Sequence, residues 1–220
     1  MRTALLARRA ARAALVLATG SALACGDTAP LSAPERLSPQ TAALSRSGHR
    51  QRVRVPILHR INPLRADEVA CRTIDPAAIA GSVSIALPEA GLRVSFPEGS
   101  IPSTTQVCLT AHAGSLLTYS FQPHGLQFGV PVQVLQDLRG TTAYNDRVMA
   151  RTMIAGYLSA GVQADVDDQG VGTFAETFST AMYDDAEKPT KTAPASVTFS
   201  TVHFSGYALA SGRADSLMTR

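Results

Sequence analysis

The chain has 220 residues, 45% of them hydrophobic and 17% charged, with 5 His, 3 Cys and no Trp. Its 20 basic and 17 acidic groups give +3, but four Arg lie in residues 1–24, which hold no acid, so without them the balance is −1. That balance argues against a general polyanion binder, and dispersed His and Cys without zinc-ligand spacing argue against a metal centre.

Taken in order, the first residues read as an export signal. Arg2, Arg8, Arg9 and Arg12 precede the apolar run through Ala13 to Ala18, and Ser21-Ala22-Leu23-Ala24 supplies small residues before Cys25. The run is too short to span a bilayer, and no other segment is long enough. One reading is a plain cleaved signal peptide with an incidental cysteine. The other, expected here because Cys25 stands where cleavage falls, is a bacterial lipobox: residues 1–24 are removed and Cys25 is lipidated. Each buried methylene then contributes about 0.8 kcal/mol, so two or three acyl chains anchor the protein to a membrane.

Residues 25–52 are rich in Ala, Pro, Ser and Arg without apolar periodicity, which predicts a flexible basic linker. From residue 28 to 65, Arg36, Arg46, Arg50, Arg52, Arg54, Arg60 and Arg65 face only Glu35. The simplest account is a solvated segment; the sharper one is attraction to anionic lipid, about 1 kcal/mol per charge near the surface. Nucleic acid is not expected as a partner, because basic and aromatic residues are not interleaved. Val53, Val55 and Ile57 alternate with Arg52, Arg54 and Pro56, as in an edge strand with Arg outward. Order is expected from there, with one domain over 53–212 and a tail over 213–220.

The stretch Gly81 to Leu135 carries the fold. Val83, Ile85 and Leu87 alternate with small or polar residues, as do Leu92, Val94 and Phe96, then Val107, Leu109 and Ala111, then Leu117, Tyr119 and Phe121, then Val130, Val132 and Val134. A period of two means strands with one buried face. Pro88, Gly91, Pro97, Gly99, Gly114, Pro123 and Gly125 separate the runs. Short strands punctuated this way predict an all-β protein, an antiparallel β-sandwich.

Several motifs here resemble a known family, the ZU-five domain, a β-sandwich module named after zonula occludens and Unc-five netrin-receptor proteins. They are Gly81-Ser82-Val83, Gly91-Leu92-Arg93-Val94-Ser95-Phe96-Pro97, the turn Pro97-Glu98-Gly99-Ser100-Ile101, Pro123-His124-Gly125, Phe128-Gly129-Val130-Pro131-Val132 and His203-Phe204-Ser205-Gly206-Tyr207. The resemblance covers roughly residues 80–210 and leaves Thr141 to Lys191 unmatched. The chain is also similar to bacterial envelope lipoproteins that carry one such domain. The resemblance implies a structural or protein-interaction role without cofactor.

With Cys25 lipidated, Cys71 and Cys108 remain. Cys108 has the parity opposite to Val107 and Leu109, so it faces away from their apolar side. An exposed thiol outside the cytoplasm favours pairing, and a Cys71–Cys108 disulfide is expected over two unrelated thiols.

Beyond Thr141 the pattern weakens. Met153 to Leu158 fits one strand and Gly172 to Met182 another. Between them Asp165, Asp167, Gly170 and Glu176 have the spacing of a calcium loop. Gln169 and Gly172 stand where that loop wants other residues, so a hairpin turn is expected in place of a metal site. Ala186 to Ala195 reads as an exposed loop.

Near the end, Val197 and Phe199 share one parity and Val202 and Phe204 the other, which predicts a bulge or break near Ser200–Val202. It falls just before His203-Phe204-Ser205. Some ZU-five proteins cut themselves between the Phe and Ser of this triplet. By that resemblance Ser205 would be the nucleophile and His203 the base. The self-cleaving relatives tend to carry an aromatic residue where this chain has Gly206. The expectation is an intact closing strand with Phe204 in the core, Ser205 outward and Tyr207 at the sandwich end. The leading functional expectation is thus a non-enzymatic envelope module with a protein partner. Self-processing is the alternative. A carbohydrate-binding or scavenging lipoprotein is a third, with little support in a chain that lacks Trp.

Overall fold

The computed structural model describes residues 52–212. Cys25, the signal and linker segments and the tail from 213 lie outside them. Alternating apolar residues become two antiparallel sheets facing each other. The five-stranded sheet contains β4 (Ser82–Leu87), β5 (Leu92–Pro97), β9 (Gln127–Asp137), β13 (Ala181–Tyr183) and β14 (Ser196–His203), in the order β13-β14-β9-β5-β4. The six-stranded sheet contains β3 (Glu68–Ile74), β6 (Thr105–Ala111), β8 (Thr118–Gln122), β10 (Ile154–Leu158), β12 (Glu176–Phe178) and β15 (Gly206–Ala210), in the order β12-β10-β15-β8-β6-β3. The antiparallel β-sandwich read from the sequence is the observed fold.

Two ribbons complete it. β1 (Val53–Pro56) pairs with β11 (Val171–Phe174), and β2 (His59–Leu64) with β7 (Gly114–Leu116). Phe174 packs against β10 at Gly156, where a Cβ would come within 1.9 Å of the ring, so this strand tolerates only glycine there. β1 is the predicted edge strand: Val55 is buried, and the exposed Arg54 pairs with Asp167 at 2.8 Å. The core between the sheets is aromatic and aliphatic. Phe96, Phe121, Phe204, Tyr119 and Tyr207 are all within 2% of full burial, each such side chain contributing roughly 1.5–3 kcal/mol.

Several expectations are corrected. The run Gly172 to Met182 is not one strand. It is the end of β11, all of β12 and the start of β13, each paired in a different place. Two short helices, α1 (Arg147–Thr152) and α2 (Val162–Asp165), were not foreseen. Asp146 caps α1, its carboxylate accepting from the N–H groups of Val148 at 2.7 Å and Met149 at 2.9 Å. Val130 is exposed despite sharing parity with the buried Val132 and Val134, because β9 bulges there against β14. Arg60 does not belong to a solvated basic segment; it is buried in β2.

Candidate functional site at the sheet crossing

His203-Phe204-Ser205 is where the chain leaves one sheet for the other. β14 ends at His203 in the five-stranded sheet, and β15 begins at Gly206 in the six-stranded one. The break expected near Ser200–Val202 is present, but Val202 does not share the buried face of Phe204. Thr201 is buried, Val202 is 47% exposed, and Phe204 is buried again. The ladder with β9 jumps between Thr201, opposite Val132, and His203, opposite Gln127.

Phe204 is the pivot. Its ring sits among Phe128, Phe121 and Phe96, with centroids 4.7, 5.2 and 5.8 Å away. Its N–H donates to the Leu126 carbonyl at 2.9 Å, and its carbonyl accepts from the Gly125 N–H at 3.0 Å. Gly125 has φ of 76°, a conformation other residues seldom hold. The turn Pro123-His124-Gly125 therefore clamps the crossing from outside both ladders. Ser205 is buried, not outward, and its carbonyl accepts from the Phe121 N–H at 2.9 Å.

Tyr207 lies in the core, not at an end. Its hydroxyl reaches back to donate to the His203 carbonyl and lies 2.9 Å from the Thr201 hydroxyl. A tyrosine bonded to the backbone a few residues upstream fixes a corner of a sandwich, as in immunoglobulin-type folds. Burial pushes this hydroxyl's pKa up, with the Thr201 bond opposing it.

The side chains proposed for self-cleavage are not joined. The His203 ring lies 4.8 Å from the Tyr157 ring, with Nδ1 3.3 Å from the Tyr207 oxygen and Nε2 3.6 Å from the Glu176 carboxylate. Among the described residues no hydrogen bond links that ring to Ser205 Oγ. The Phe204 carbonyl does have one backbone donor of the kind that stabilises an oxyanion. The arrangement supplies one element of acyl-transfer chemistry and leaves the nucleophile without an adjacent base.

The calcium-like spacing disperses in space. Asp165 is buried and accepts from the Ala160 N–H at 2.6 Å. Asp167 accepts from the N–H groups of Val171 and Gln169 and from Arg54, and these, Val171 first, hold its carboxyl below the usual range. Glu176 faces His203. Among the described residues no group of three or more His, Cys, Asp or Glu side chains converges on a metal position.

Cys71 and Cys108 are directly opposite on β3 and β6 and are bonded, with S–S 2.07 Å. Cys71 is exposed and Cys108 half-buried.

A second polar cluster went unread in the sequence. Tyr119, buried on β8, donates to Gln136 Oε1, and Gln136 Nε2 donates to the carbonyls of Ala90 at 2.8 Å and Asp137 at 2.7 Å. The Arg60 guanidinium lies 5.6 Å from the Tyr119 ring centre. Burial pushes the Tyr119 pKa up to about 12, with Arg60 opposing it. The available clue was the doublet Ile57-Leu58. Both are buried, so parity changes there and turns Arg60 inward.

No family model matches the chain, and no curated protein matches it.

Proposed function

We propose that this is a lipid-anchored bacterial envelope protein whose ZU-five-like sandwich serves as a structural or protein-interaction module. The observation that carries the reading is the Cys71–Cys108 bond. It lies where Cys71 is exposed, and an exposed disulfide persists in oxidising surroundings, outside the reducing cytoplasm. The basic, apolar and small-residue succession ending at Cys25 supplies the export route and the anchor. The sandwich then stands off the membrane on the linker and offers its surface to an envelope protein. Replacing Cys25 tests the anchor. Cys25→Ala is expected to move the exported protein from the detergent to the aqueous phase, or to arrest its processing; unchanged partitioning overturns the anchor. A thiol assay in denaturant on the exported chain is expected to find Cys71 and Cys108 unreactive.

Self-processing at Phe204–Ser205 is retained as a second reading for one reason. The Phe204 carbonyl is bonded to the Gly125 N–H at a peptide that lies outside any strand. The expected intact mass of the mature chain is that of a single polypeptide. A fragment beginning at Ser205, present in wild type and absent in Ser205→Ala, would establish the second reading.

A further inference from the structure

Ser120 lies opposite Gly206, the residue after Ser205, and unlike Ser205 it has a base beside it. Its Oγ is 2.7 Å from His112 Nε2. His112 Nδ1 is in turn 3.7 Å from the Asp67 carboxylate. A hydroxyl, an imidazole and a carboxylate in this order are the parts of a nucleophile activated by a base that a third group orients.

The local structure explains how they meet. On β8, Tyr119 and Phe121 are buried in the core, so Ser120 faces outward from the six-stranded sheet and is half-buried. His112 directly follows β6 and continues its ladder, its N–H donating to the Thr118 carbonyl at 3.2 Å. Thr110 lies opposite Ser120, so His112 stands two residues along on the same face, within reach across the diagonal. Asp67 immediately precedes β3. One of its carboxylate oxygens accepts from the Ala113 N–H at 2.7 Å, and the other faces His112 Nδ1. One carboxylate thus fixes both the turn that carries His112 and the side of the ring that holds its proton. A carboxylate at Nδ1 favours the proton there, and Nε2 then offers its lone pair to the Ser120 hydroxyl. Burial pushes the His112 pKa down, with Asp67 opposing and Arg60 reinforcing it, so the ring is neutral near pH 7 and able to take a proton. A second pair, His59 Nδ1 and Ser115 Oγ at 3.2 Å, is exposed, and among the described residues no acid is paired with His59.

We infer that Ser120 takes an acyl group from an activated carboxylic ester, with His112 as its general base and Asp67 positioning the ring. Ser120 Oγ bonds to the ester carbonyl carbon as its proton passes to His112 Nε2. The ester's C–O bond then breaks, its electron pair leaving with the alkoxide, which recovers the proton from Nε2. Water attacks the acyl-serine by the same route, giving its proton to Nε2, and Ser120 Oγ is reprotonated as the carboxylic acid leaves. The geometry also sets the substrate class. The Phe121 N–H is engaged by the Ser205 carbonyl, and β8 lies between β6 and β15, so the backbone around Ser120 serves ladders, not an oxyanion. A missing oxyanion donor costs about 10²–10³ in rate, which restricts the site to esters with good leaving groups and to slow release of the acyl group. Val69, 58% exposed, lies opposite Thr110 on the same outer row, an apolar neighbour for a short acyl chain. The inference does not depend on the anchor or on cleavage at Phe204.

The test uses the mature chain and p-nitrophenyl acetate. A burst of p-nitrophenolate followed by slow turnover is expected, with the acetyl group mapped to Ser120 by peptide mass and Ser115 unmodified. Ser120→Ala is expected to remove the burst. His112→Gln keeps a hydrogen-bonding side chain that cannot take the proton, and is expected to slow acylation at least about 100-fold. Asp67→Asn keeps an oxygen for the Ala113 N–H. It is expected to slow acylation at least about ten-fold and to move the His112 ring nitrogen resonances from the Nδ1–H to the Nε2–H tautomer, which a loss of packing alone would not do. Absence of Ser120 acetylation overturns the inference. So does an unchanged rate in His112→Gln, equal acetylation of Ser115 and Ser120, or an Nε2–H tautomer in the wild-type chain. The wild-type adduct and tautomer decide the matter even if a variant fails to fold.

Discussion

Tyr119 and Tyr207 face each other across β8 and β15, and both are at most 2% exposed. Each carries a hydroxyl from the six-stranded sheet to a strand of the five-stranded one, yet the two surroundings end differently. Around Tyr207 the hydroxyl groups are closed: that of Tyr207 and that of Thr201 are satisfied by each other and by the His203 carbonyl. Around Tyr119 the hydroxyl and the Gln136 amide are also satisfied, but the guanidinium beside them keeps two nitrogens unmatched. Neutral groups can be closed by backbone and hydroxyl partners alone, which makes a clamp. A cation at the same depth is costly to bury without a counter-charge, and no carboxylate among the described residues is paired with this one.

The strongest way to break the closed side is to remove the ring it holds in place. Phe204→Ala is expected to cost about 3–5 kcal/mol, the usual range for a buried Phe in contact with other aromatics. It should appear as a lower urea midpoint with an unchanged m-value. A loss below about 1 kcal/mol would mean that the crossing is not part of the cooperative core.

Alkali tests the other side. Tyr119 has its pKa raised from 10.0 to about 12, chiefly by burial. The folded chain therefore holds a proton that the unfolded chain releases. Its contribution is complete below pH 10 and is lost as pH rises toward 12, about 3 kcal/mol in all at roughly 1.4 kcal/mol per pKa unit. The raised Tyr207 hydroxyl adds in the same direction. Stability measured by urea between pH 9 and 12 should fall, with a shallower slope in Tyr119→Phe. An equal slope in wild type and variant would detach Tyr119 from the buried cluster.

These two regions were unequally legible. The central strands of both sheets follow from alternation, because Leu109, Phe121 and Val134 each sit on a strand that turns apolar residues to the core, whereas β15, which holds Tyr207, is buried on both faces and shows no alternation. The parity change gave a bulge or break near Ser200–Val202, and the ladder does jump there, but that the chain also changes sheets was not read from it. Alternation misplaced Ser205, because Phe204 and Ser205 link two strands without belonging to either, and a period of two does not run through such a link. The region from Thr141 to Lys191 failed for a related reason. Its strands have three to five residues, too few for a period, and neighbouring pieces serve different sheets. Arg60 was hidden by its charge. A basic residue in a basic stretch reads as solvated, and only the doublet Ile57-Leu58 argued otherwise.

The smallest expected effect separates the two sides most sharply. Tyr207→Phe keeps the ring and removes the hydroxyl. The His203 carbonyl retains the Thr201 hydroxyl at 3.0 Å, so the loss should be about 1–2 kcal/mol, the cost of one buried bond left unmade. Arg60→Met removes the charge and the unmatched donors while a stem of similar length still fills the site. It also removes the Nη1 bond to the Leu116 carbonyl, which costs something. Relief from burying a cation offsets that cost, and the sum should lie within about 1 kcal/mol of zero, as when apolar residues replace buried charges elsewhere. A buried arginine would then be cheaper to remove than the hydroxyl of Tyr207 on β15. Urea unfolding of both variants measures this. A loss of about 3 kcal/mol or more for Arg60→Met is the signature of a broken buried ion pair. In that event the guanidinium already has its partner, the asymmetry between Tyr119 and Tyr207 disappears, and Arg60 is a structural residue like Thr201.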